Sequence, residues 1–276
     1  MYKKKQKIAG FIGVIAKILI CLIFLFPFLW MISISLQTAT ESSRAPITFI
    51  PASPQWQNFV TAWNMAPFGL YLKNSIIIIF SIVILQSLVM VPAAYAFAKF
   101  KFKGRGLLFG LVLVAFMMPV QVTFLPVYYM MGDWGLVNTL IPQILPHMTN
   151  AFGIFLLRQY FMQVPDELLE AARLDNASEL KILGKIMLPM SKPAISAIAL
   201  LSFVGHWNDY FWPLMMTRAD AVRPLTVGIA ALKDAEGNNN WNVIMAGNMF
   251  LVMPLVLIYI FASKFIINSF TYSGIK

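Results

Sequence analysis

The stretch IIIIFSIVILQSLVMVPAAYAFA, residues 76–98, runs for 23 positions without a charged residue. A helix needs about 20 mostly apolar residues to cross the hydrocarbon core of a bilayer. An open strand would leave its backbone groups unpaired in lipid, so a stretch of this kind is expected to be helical. It therefore predicts an all-α protein of the membrane.

The composition of the whole chain supports this prediction. Of its 276 residues, 59% are hydrophobic and 12% are charged, whereas soluble domains have about 25% charged residues. The net charge of +10 would suggest nucleic acid for a soluble protein. Here the basic residues flank apolar stretches, so we expect contact with the lipid bilayer and none with nucleic acid. The single cysteine, Cys21, excludes an intramolecular disulfide and a multi-cysteine metal site.

Six apolar blocks are long enough to be membrane spans, which predicts a polytopic protein with six transmembrane helices. The sequence predicts an N-terminal segment at 1–17, a first transmembrane helix at 18–36 and an outer loop at 37–74. A core transmembrane domain at 75–268 holds the other five spans and the inner loop at 162–192, and a tail follows at 269–276. The predicted spans are residues 18–36, 75–98, 106–131, 140–161, 193–216 and 243–263.

The basic residues also predict how the chain is oriented. If the N-terminus lies inside, 16 of the 21 Lys and Arg residues fall on the inner side and five on the outer side. Cytoplasmic segments are enriched in Lys and Arg, so both termini are expected in the cytoplasm. The long outer loops, residues 37–74 and 217–242, are then either plain connections or a docking face for an extracytoplasmic partner.

The longest inner loop, residues 162–192, predicts two short helices outside the membrane. Pro165 suits the first position of a helix, and the two acids after it favour the positive end of the helix dipole. Asn176 tolerates the left-handed conformation that ends a helix. Ser178 can cap a second helix, which Leu188-Pro189 would stop. A loop that only joined two spans would not need two capped helices.

The segment EAARLDNASELKILGKIMLP, residues 170–189, resembles the EAA loop of binding-protein-dependent ABC importer permeases. In that family, the position four residues after EAA is usually Gly, and a short amphipathic helix then leads to Leu-Pro. Asn176 stands in place of that Gly, and both residues accept a left-handed turn. The residues that match the family pattern are Glu170, Ala171, Ala172, Asp175, Ala177, Leu188 and Pro189.

Other stretches resemble the carbohydrate-uptake branch of this family, in particular its MalG-like subunit. The tail SFTYSGIK is also similar to the family's ending. The resemblance implies the type I ABC importer fold, with six spans and cytoplasmic termini. The matching stretches are NSIIIIF (74–80), AYAFAKFKFKGR (94–105), MMPVQVTFLPVY (117–128), LRQYFMQVPDELLEAA (157–172) and WNDYFWPL (207–214).

The chain has no GxxxxGK[ST] motif, so it encodes no phosphate loop for ATP. The resemblance implies that a separate dimeric cytoplasmic ATPase holds ATP and Mg²⁺. This chain would then be a non-catalytic subunit that binds no cofactor and no metal. A second permease subunit and an extracytoplasmic solute-binding protein are the other implied partners.

The resemblance also assigns roles to residues of the loop and the tail. It implies that Glu170 pairs with a cation in the ATPase cleft, that Ala171 and Ala172 allow close contact, and that Asn176 shapes the turn. It implies that the C-terminal tail enters the ATPase dimer interface. The tail residues are Ser273, Gly274, Ile275 and Lys276.

A candidate substrate pathway lies in the fifth predicted span. Asp209 is the only acid within a predicted span, and an ionisable residue in a span suggests function. Aromatic faces and amide or carboxylate groups suit a sugar. Alternatively, these residues form an interfacial aromatic belt, or the second permease holds the sugar alone. The candidates are Trp207, Asn208, Asp209, Tyr210 and Trp212.

Three classes of function remain to be compared. A carbohydrate importer, with a di- or oligosaccharide as cargo, fits best, and a glycerol-phosphate type of solute is the alternative within the same machinery. An ion-coupled secondary transporter would show several acids in its spans and inverted repeats. A membrane enzyme would show clustered His, Asp or Glu, and the sequence gives no such cluster. We expect His147 and His206 to be buried hydrogen-bonding residues.

Overall fold

A computed structural model describes the backbone of residues 2–46, 48–235 and 240–271, and the side chains of residues 13–46, 48–232 and 240–260. Every regular element within these ranges is helical, which confirms the all-α prediction. The chain forms two compact units, Met1–Phe68 with Gly228–Pro254, and Gly69–Val227 with Leu255–Lys276.

The described residues form long helices joined by short helical pieces. Two 3-10 turns, Leu145–His147 and Asp220–Val222, and one π-helical turn, Leu183–Met187, interrupt them. The helices are α1 Tyr2–Ser35, α2 Ala39–Ser42, α3 Gln57–Met65, α4 Phe68–Lys99, α5 Arg105–Met117, α6 Val120–Asp133, α7 Ile141–Ile144, α8 Ala151–Met162, α9 Asp166–Leu174, α10 Glu179–Ile182, α11 Leu188–Met190, α12 Lys192–Trp207, α13 Phe211–Met216, α14 Leu225–Ala235 and α15 Trp241–Thr271.

Three helical stretches are long and apolar enough to cross a membrane: Gly13–Ser35, Phe68–Lys99 and Trp241–Ile260. Two further pairs of helices are sharply bent, by 96° between α5 and α6 and by 80° between Glu179–Met190 and Lys192–Trp207. If each bent pair is one broken span, the described residues contain up to five spans. The sequence predicted six.

Three predicted spans are not continuous helices. The span at 106–131 breaks at Met118 and Pro119, which both have extended backbones, because a proline disfavours the helical conformation of the residue before it. The span at 140–161 contains α7, a 3-10 turn and α8, and the span at 193–216 breaks between α12 and α13. Irregular backbone at membrane depth is tolerated where it is buried in protein or lines a cavity.

Two predicted loops contain helices. The segment 37–74 holds α2, α3 and the first turns of α4, so α4 begins at Phe68 rather than at the predicted residue 75. The segment 217–242 holds α14, whose apolar residues Leu225, Ile229 and Leu232 are buried. Their spacing of three to four residues is that of an apolar face of a helix, which the polar residues nearby obscured in the sequence.

The core of the second unit packs α8 against α4 and α12. Leu157 and Phe161 of α8 are fully buried in this core. Gly153 allows the helices to approach closely, because a Cβ at this position would clash with Met90 Sδ and lie 3.2 Å from Ile198 Cγ2. Small residues at helix contacts are typical of packing in lipid.

In the first unit, α3 packs on the beginning of α15. Ala62 is buried against Val243 and Ala246. Asn242 Nδ2 donates to Asn58 Oδ1 at 3.0 Å, and this amide pair fixes the register of the two helices.

Candidate functional site

The EAA loop, residues 162–192, begins with the predicted helix, α9. Pro165 lies just before the first helical residue rather than at it, with an extended backbone. The first turn carries two acids and the last turn carries Arg173, which suits both ends of the helix dipole. Leu169 is buried and joins the core of the second unit, so the helix is attached to the membrane body by its apolar side.

The turn after α9 has the predicted left-handed residue. Asn176 has a φ of +55°. Its N–H donates to Arg173 O at 3.0 Å, and the N–H of Ala177 donates to Ala172 O at 3.0 Å. This pair of bonds is the Schellman arrangement that closes a helix. The EAA alanines therefore end in a tight, fully bonded turn.

The second helix of the loop is longer than predicted. Ser178 Oγ accepts from Lys181 N–H, as expected for a cap. The prediction that Leu188-Pro189 ends the helix is wrong, because helical structure continues through the π-helical turn to Met190. Pro189 lies in the first turn of α11, where a missing N–H is tolerated. The chain then bends at Ser191.

Polar contacts that the sequence did not reveal attach the loop to the C-terminal part of α4. Tyr95 Oη donates to Glu179 Oε2 at 2.6 Å, and Arg173 Nε donates to Glu179 Oε1 at 2.9 Å. Lys99 Nζ donates to Val164 O and to Asp166 Oδ1, both at 2.6 Å. Each half of the loop is thus bonded to α4.

These contacts shift the acid–base behaviour of the loop. The hydrogen bond from Arg173 is the main cause of a lowered pKa at Glu179. The hydrogen bond from Lys99 lowers the pKa of Asp166 in the same way. Both carboxylates are therefore held in the charged form that their cationic partners require.

Part of the surface of the loop is exposed and apolar. Leu174 is 84% exposed and Leu180 is 82% exposed. Glu170 and Ala171 are also exposed. Within the described residues, Glu170 has no ion-pair partner. An apolar patch next to an unpaired charge is typical of a protein-docking surface.

A cavity of about 710 Å³ lies in the second unit, beside the breaks between α5 and α6 and between α7 and α8. Its polar groups form a network: Gln86 Oε1 accepts from Ser202 Oγ at 2.6 Å and from Asn150 Nδ2 at 3.3 Å. Aliphatic and methionine side chains form the largest part of the wall, and aromatic and amide side chains lie among them. Lining residues include Gln86, Trp134, His147, Asn150, His206 and Trp212.

The five predicted pathway residues do not all face this cavity. Trp212 is buried and lines it. Trp207 is buried and stacks on Phe203 with ring centroids 5.5 Å apart. Asn208 and Tyr210 are exposed, and Asp209 is half-buried. The lining therefore comes mainly from residues of α6, α8 and the breaks, which the sequence analysis did not select.

The structure corrects the expectation that no cluster of His, Asp or Glu exists. The ligand atoms of His147, His206 and Asp209 all lie within 4.8 Å of one another. These residues belong to different predicted spans, so no local motif could reveal them.

Comparisons with known proteins agree with these features. Residues 89–272 match the model of the family described as "Binding-protein-dependent transport system inner membrane component". The chain belongs to this family. The arabinooligosaccharides transport system permease protein AraQ of Halalkalibacterium halodurans is 35% identical over 281 residues, covering 100% of both chains. The sn-glycerol-3-phosphate transport system permease protein UgpE of Yersinia pestis bv. Antiqua is 33% identical over 255 residues, covering 90% of each.

A solved structure shows the same fold. It is a chain of a bacterial ABC transporter involved in the import of the acidic polysaccharide alginate, and it superposes with a TM-score of 0.82 at 24% identity, covering 94% of this permease and 97% of that chain. The resemblance found in the sequence is confirmed. The permease is a multi-pass protein of the cell membrane and a transport subunit rather than an enzyme. The predicted tail contacts, Ser273, Gly274, Ile275 and Lys276, lie outside the described residues.

Proposed function

We propose that this permease imports a carbohydrate, specifically a di- or oligosaccharide, and that a separate cytoplasmic ATPase drives it by docking on the EAA loop. The observation that carries the proposal is the folded, capped loop at 162–192, on which Glu170 and two leucines are exposed. ATP and Mg²⁺ bind to the ATPase, and this chain supplies no catalytic residue and binds no cofactor or metal needed for the cycle.

The topology that we propose has six spans and two cytoplasmic termini. The distribution of 16 basic residues inside and five outside supports it. The segment Glu179–Met190 is one arm of a pair bent by 80°. Its charged residues Lys181 and Lys185 are exposed, which favours a position in water rather than in lipid. A second permease and an extracytoplasmic solute-binding protein complete the proposed complex, the latter docking on the outer loops.

The coupling roles that we propose are those that the resemblance to the EAA loop implies. Glu170 pairs with a cation of the ATPase, and Ala171 and Ala172 let the two surfaces approach closely. Asp175, Asn176 and Ala177 form the tight turn, and Leu188 with Pro189 leads the chain back toward the membrane. We propose that the tail from Ser273 to Lys276 reaches the ATPase dimer interface.

The cavity favours a sugar over a phosphate ester. Its described lining contains tryptophan, histidine and amide side chains but no Lys or Arg. A flat hydroxylated ring stacks on aromatic faces and exchanges hydrogen bonds with amides, whereas a phosphate needs cationic partners. Trp212 is the pathway candidate that meets the cavity. The relative named for glycerol-3-phosphate makes that solute the second candidate.

Replacing Glu170 by Gln tests the proposal. Glu167→Gln is the matched control, because Glu167 is exposed on the same helix but outside the EAA motif. Loss of a paired charge at an interface costs about 2 kcal/mol or more, which corresponds to a loss of ATPase association of about 30-fold or more. We expect this loss, together with loss of labelled oligosaccharide uptake, for Glu170→Gln only. Full association and uptake in Glu170→Gln would overturn the ATPase-docking role.

Competition between labelled and unlabelled solutes identifies the cargo. Labelled oligosaccharide uptake should be reduced by unlabelled arabino-, malto- or related oligosaccharides and unaffected by glycerol 3-phosphate. Competition by glycerol 3-phosphate alone would establish the second candidate.

A further inference from the structure

We propose that His147, His206 and Asp209 form a binding site for a divalent transition-metal ion, with Zn²⁺ as the best match, and that the bound ion arrests transport. Metal binding rests only on these three side chains. Arrest of transport also rests on the proposed importer function, so the two parts are tested separately below.

The geometry brings three ligands to one point. The ligand atoms lie within 4.8 Å of one another, and the two imidazole rings have centroids 4.7 Å apart. Tetrahedral zinc has bonds of about 2.0–2.1 Å, so its ligand atoms lie about 3.3 Å apart. The ligand atoms must therefore approach one another by up to about 1.5 Å for one ion to bind all three.

The charges and hydrogen bonds of the site are incomplete without a cation. His147 Nε2 is buried and has no hydrogen-bond partner among the described residues. Asp209 is the only acid in a predicted span, and it makes no ion pair within the described residues. A carboxylate at membrane depth normally has a cationic partner. A metal ion would satisfy the carboxylate and the imidazole lone pair together.

The donor set selects the kind of metal. Two imidazoles and one carboxylate suit Zn²⁺ and Co²⁺, and they leave a fourth position for water. Mg²⁺ and Ca²⁺ prefer sites made of oxygen ligands. The cavity beside the cluster supplies room for that water, since both histidines line it.

Neighbouring groups hold the ligands in place. Trp212 N–H donates to Asp209 Oδ1 at 3.2 Å, and the Trp212 ring contacts the His147 ring edge-on, with centroids 4.9 Å apart. Trp212 Nε1 is itself anchored on Pro142 O at 2.8 Å. Gln86 Nε2 donates to His147 O at 2.8 Å. Such supporting contacts raise the affinity of a metal site by reducing the motion of its ligands.

The position of the site gives its effect. His147 lies at the break between α7 and α8, whereas His206 and Asp209 flank the break after α12. Alternating access moves one bundle of helices against another around a fixed site that broken helices form. An ion that joins the two breaks would therefore lock them in one arrangement.

Binding is measured on the assembled transporter carrying Cys21→Ser and a tag without histidine. The chain has only two histidines and one cysteine, so this background leaves no other imidazole or thiol in it. We titrate Co²⁺ and follow its visible absorption, then displace it with Zn²⁺. The variants are His147→Gln, His206→Gln and Asp209→Asn, and Thr149→Ala is the control that alters the cavity wall only.

We expect one Co²⁺ per permease with the intense bands of a tetrahedral site, displaced by Zn²⁺. Affinity should fall at least tenfold in each of the three variants and stay unchanged in Thr149→Ala. Absence of these bands in the parent complex, or equal affinity in all variants, would refute the site. If a variant has a lower melting temperature than the parent without metal, the parent is tested by chemical modification instead. Zn²⁺ should protect both histidines from diethyl pyrocarbonate, and an equal extent of modification with and without Zn²⁺ would refute binding.

The arrest of transport by the bound ion is measured separately, as solute uptake. Uptake by the parent transporter should fall by at least tenfold at saturating Zn²⁺ and recover on chelation, whereas Zn²⁺ should leave uptake by His206→Gln at that variant's own metal-free rate. Binding without arrest would overturn only the inhibitory role. Full ATPase docking and uptake in the Glu170→Gln test, with metal binding intact, would overturn the proposed function and leave the metal site standing.

Discussion

The contact between Tyr95 and Glu179 should determine how firmly the EAA loop is held to α4, and Tyr95→Phe removes its hydroxyl alone. Tyr95 is 3% exposed, and its ring packs edge-on against Phe100 and Phe161. Phenylalanine keeps both ring contacts. The perturbation is therefore confined to one hydrogen bond, which spans 2.6 Å from the phenol to the carboxylate.

The structure sets the size of the effect. A hydrogen bond to a charged group contributes about 1.5–3 kcal/mol. The Glu179 side chain is 44% exposed, so water replaces part of the lost contact, and Arg173 still bonds the carboxylate. The expected loss of unfolding free energy in Tyr95→Phe is therefore at or just below the lower end of this range, about 1–1.5 kcal/mol. In Glu179→Gln the phenol retains an amide oxygen as acceptor, and the charge on the acceptor is lost.

A double-mutant cycle of these two changes measures the part of the contact that depends on the charge of Glu179. Thermal unfolding of the purified permease should give a coupling energy of about 1 kcal/mol, since residues in direct contact are non-additive. In the assembled transporter, Tyr95→Phe should lower the amount of solute imported per ATP hydrolysed, because a loosely held loop transmits the ATPase motion poorly. ATPase association should be unchanged, because the docking side of the loop is untouched.

Tyr160→Phe is the control, because it removes a phenol that makes no hydrogen bond among the described residues. Additive effects in the cycle, or an unchanged ratio of transport to ATP hydrolysis in Tyr95→Phe, would refute the role of this contact. An equal loss in Tyr160→Phe would show that the effect is not specific to it.

Three further predictions concern packing, the turn and pH. Gly153→Val should destabilise the permease by about 1–3 kcal/mol through overpacking. Gly110→Ala is the control and should leave the melting temperature unchanged, because no described atom lies within 4 Å of the added Cβ. Equal effects of the two substitutions would contradict the close helix contact at Gly153. Asn176→Ala should cost about 1 kcal/mol because alanine resists a φ of +55°, and Asn176→Gly should melt at or above the parent temperature; equal stability of both would contradict the left-handed turn. The lowered pKa of Asp166 means that its bond from Lys99 stabilises the loop above the ordinary value of 3.8 and is lost as the pH falls through the lowered pKa. The protection factors of the loop amides, which remove the intrinsic pH dependence of exchange, should therefore fall below that pH in the parent and be low at every pH in Asp166→Asn; parent protection factors that do not change with pH would contradict this.

The features that the sequence predicts well are local. The 23 apolar residues at 76–98 require a helix whatever surrounds them, because lipid offers no hydrogen-bond partner. The turn at Asn176 is equally local, since its two backbone bonds join residues within five positions of each other. The EAA pattern then identifies the loop and its family without any tertiary information.

The features that it misses depend on tertiary contacts or on competing local preferences. Tyr95 and Glu179 lie far apart in the chain, and neither residue type signals a partner. The cluster of His147, His206 and Asp209 requires two broken helices to approach each other. Proline weakens a helix, but the angle through which the chain then turns depends on the surrounding contacts. The bend of 96° after Met117 was therefore not predictable from Pro119 alone.

The central claim is that the EAA loop lies in the cytoplasm and carries the ATPase, and Leu174 offers the most direct test. In a Cys21→Ser background, Leu174→Cys introduces one thiol at a position whose leucine is 84% exposed. A membrane-impermeant maleimide should label it in inside-out vesicles, should not label it in intact cells, and should be blocked when the ATPase is bound. Labelling from outside intact cells, or full labelling in the presence of bound ATPase, would contradict the account.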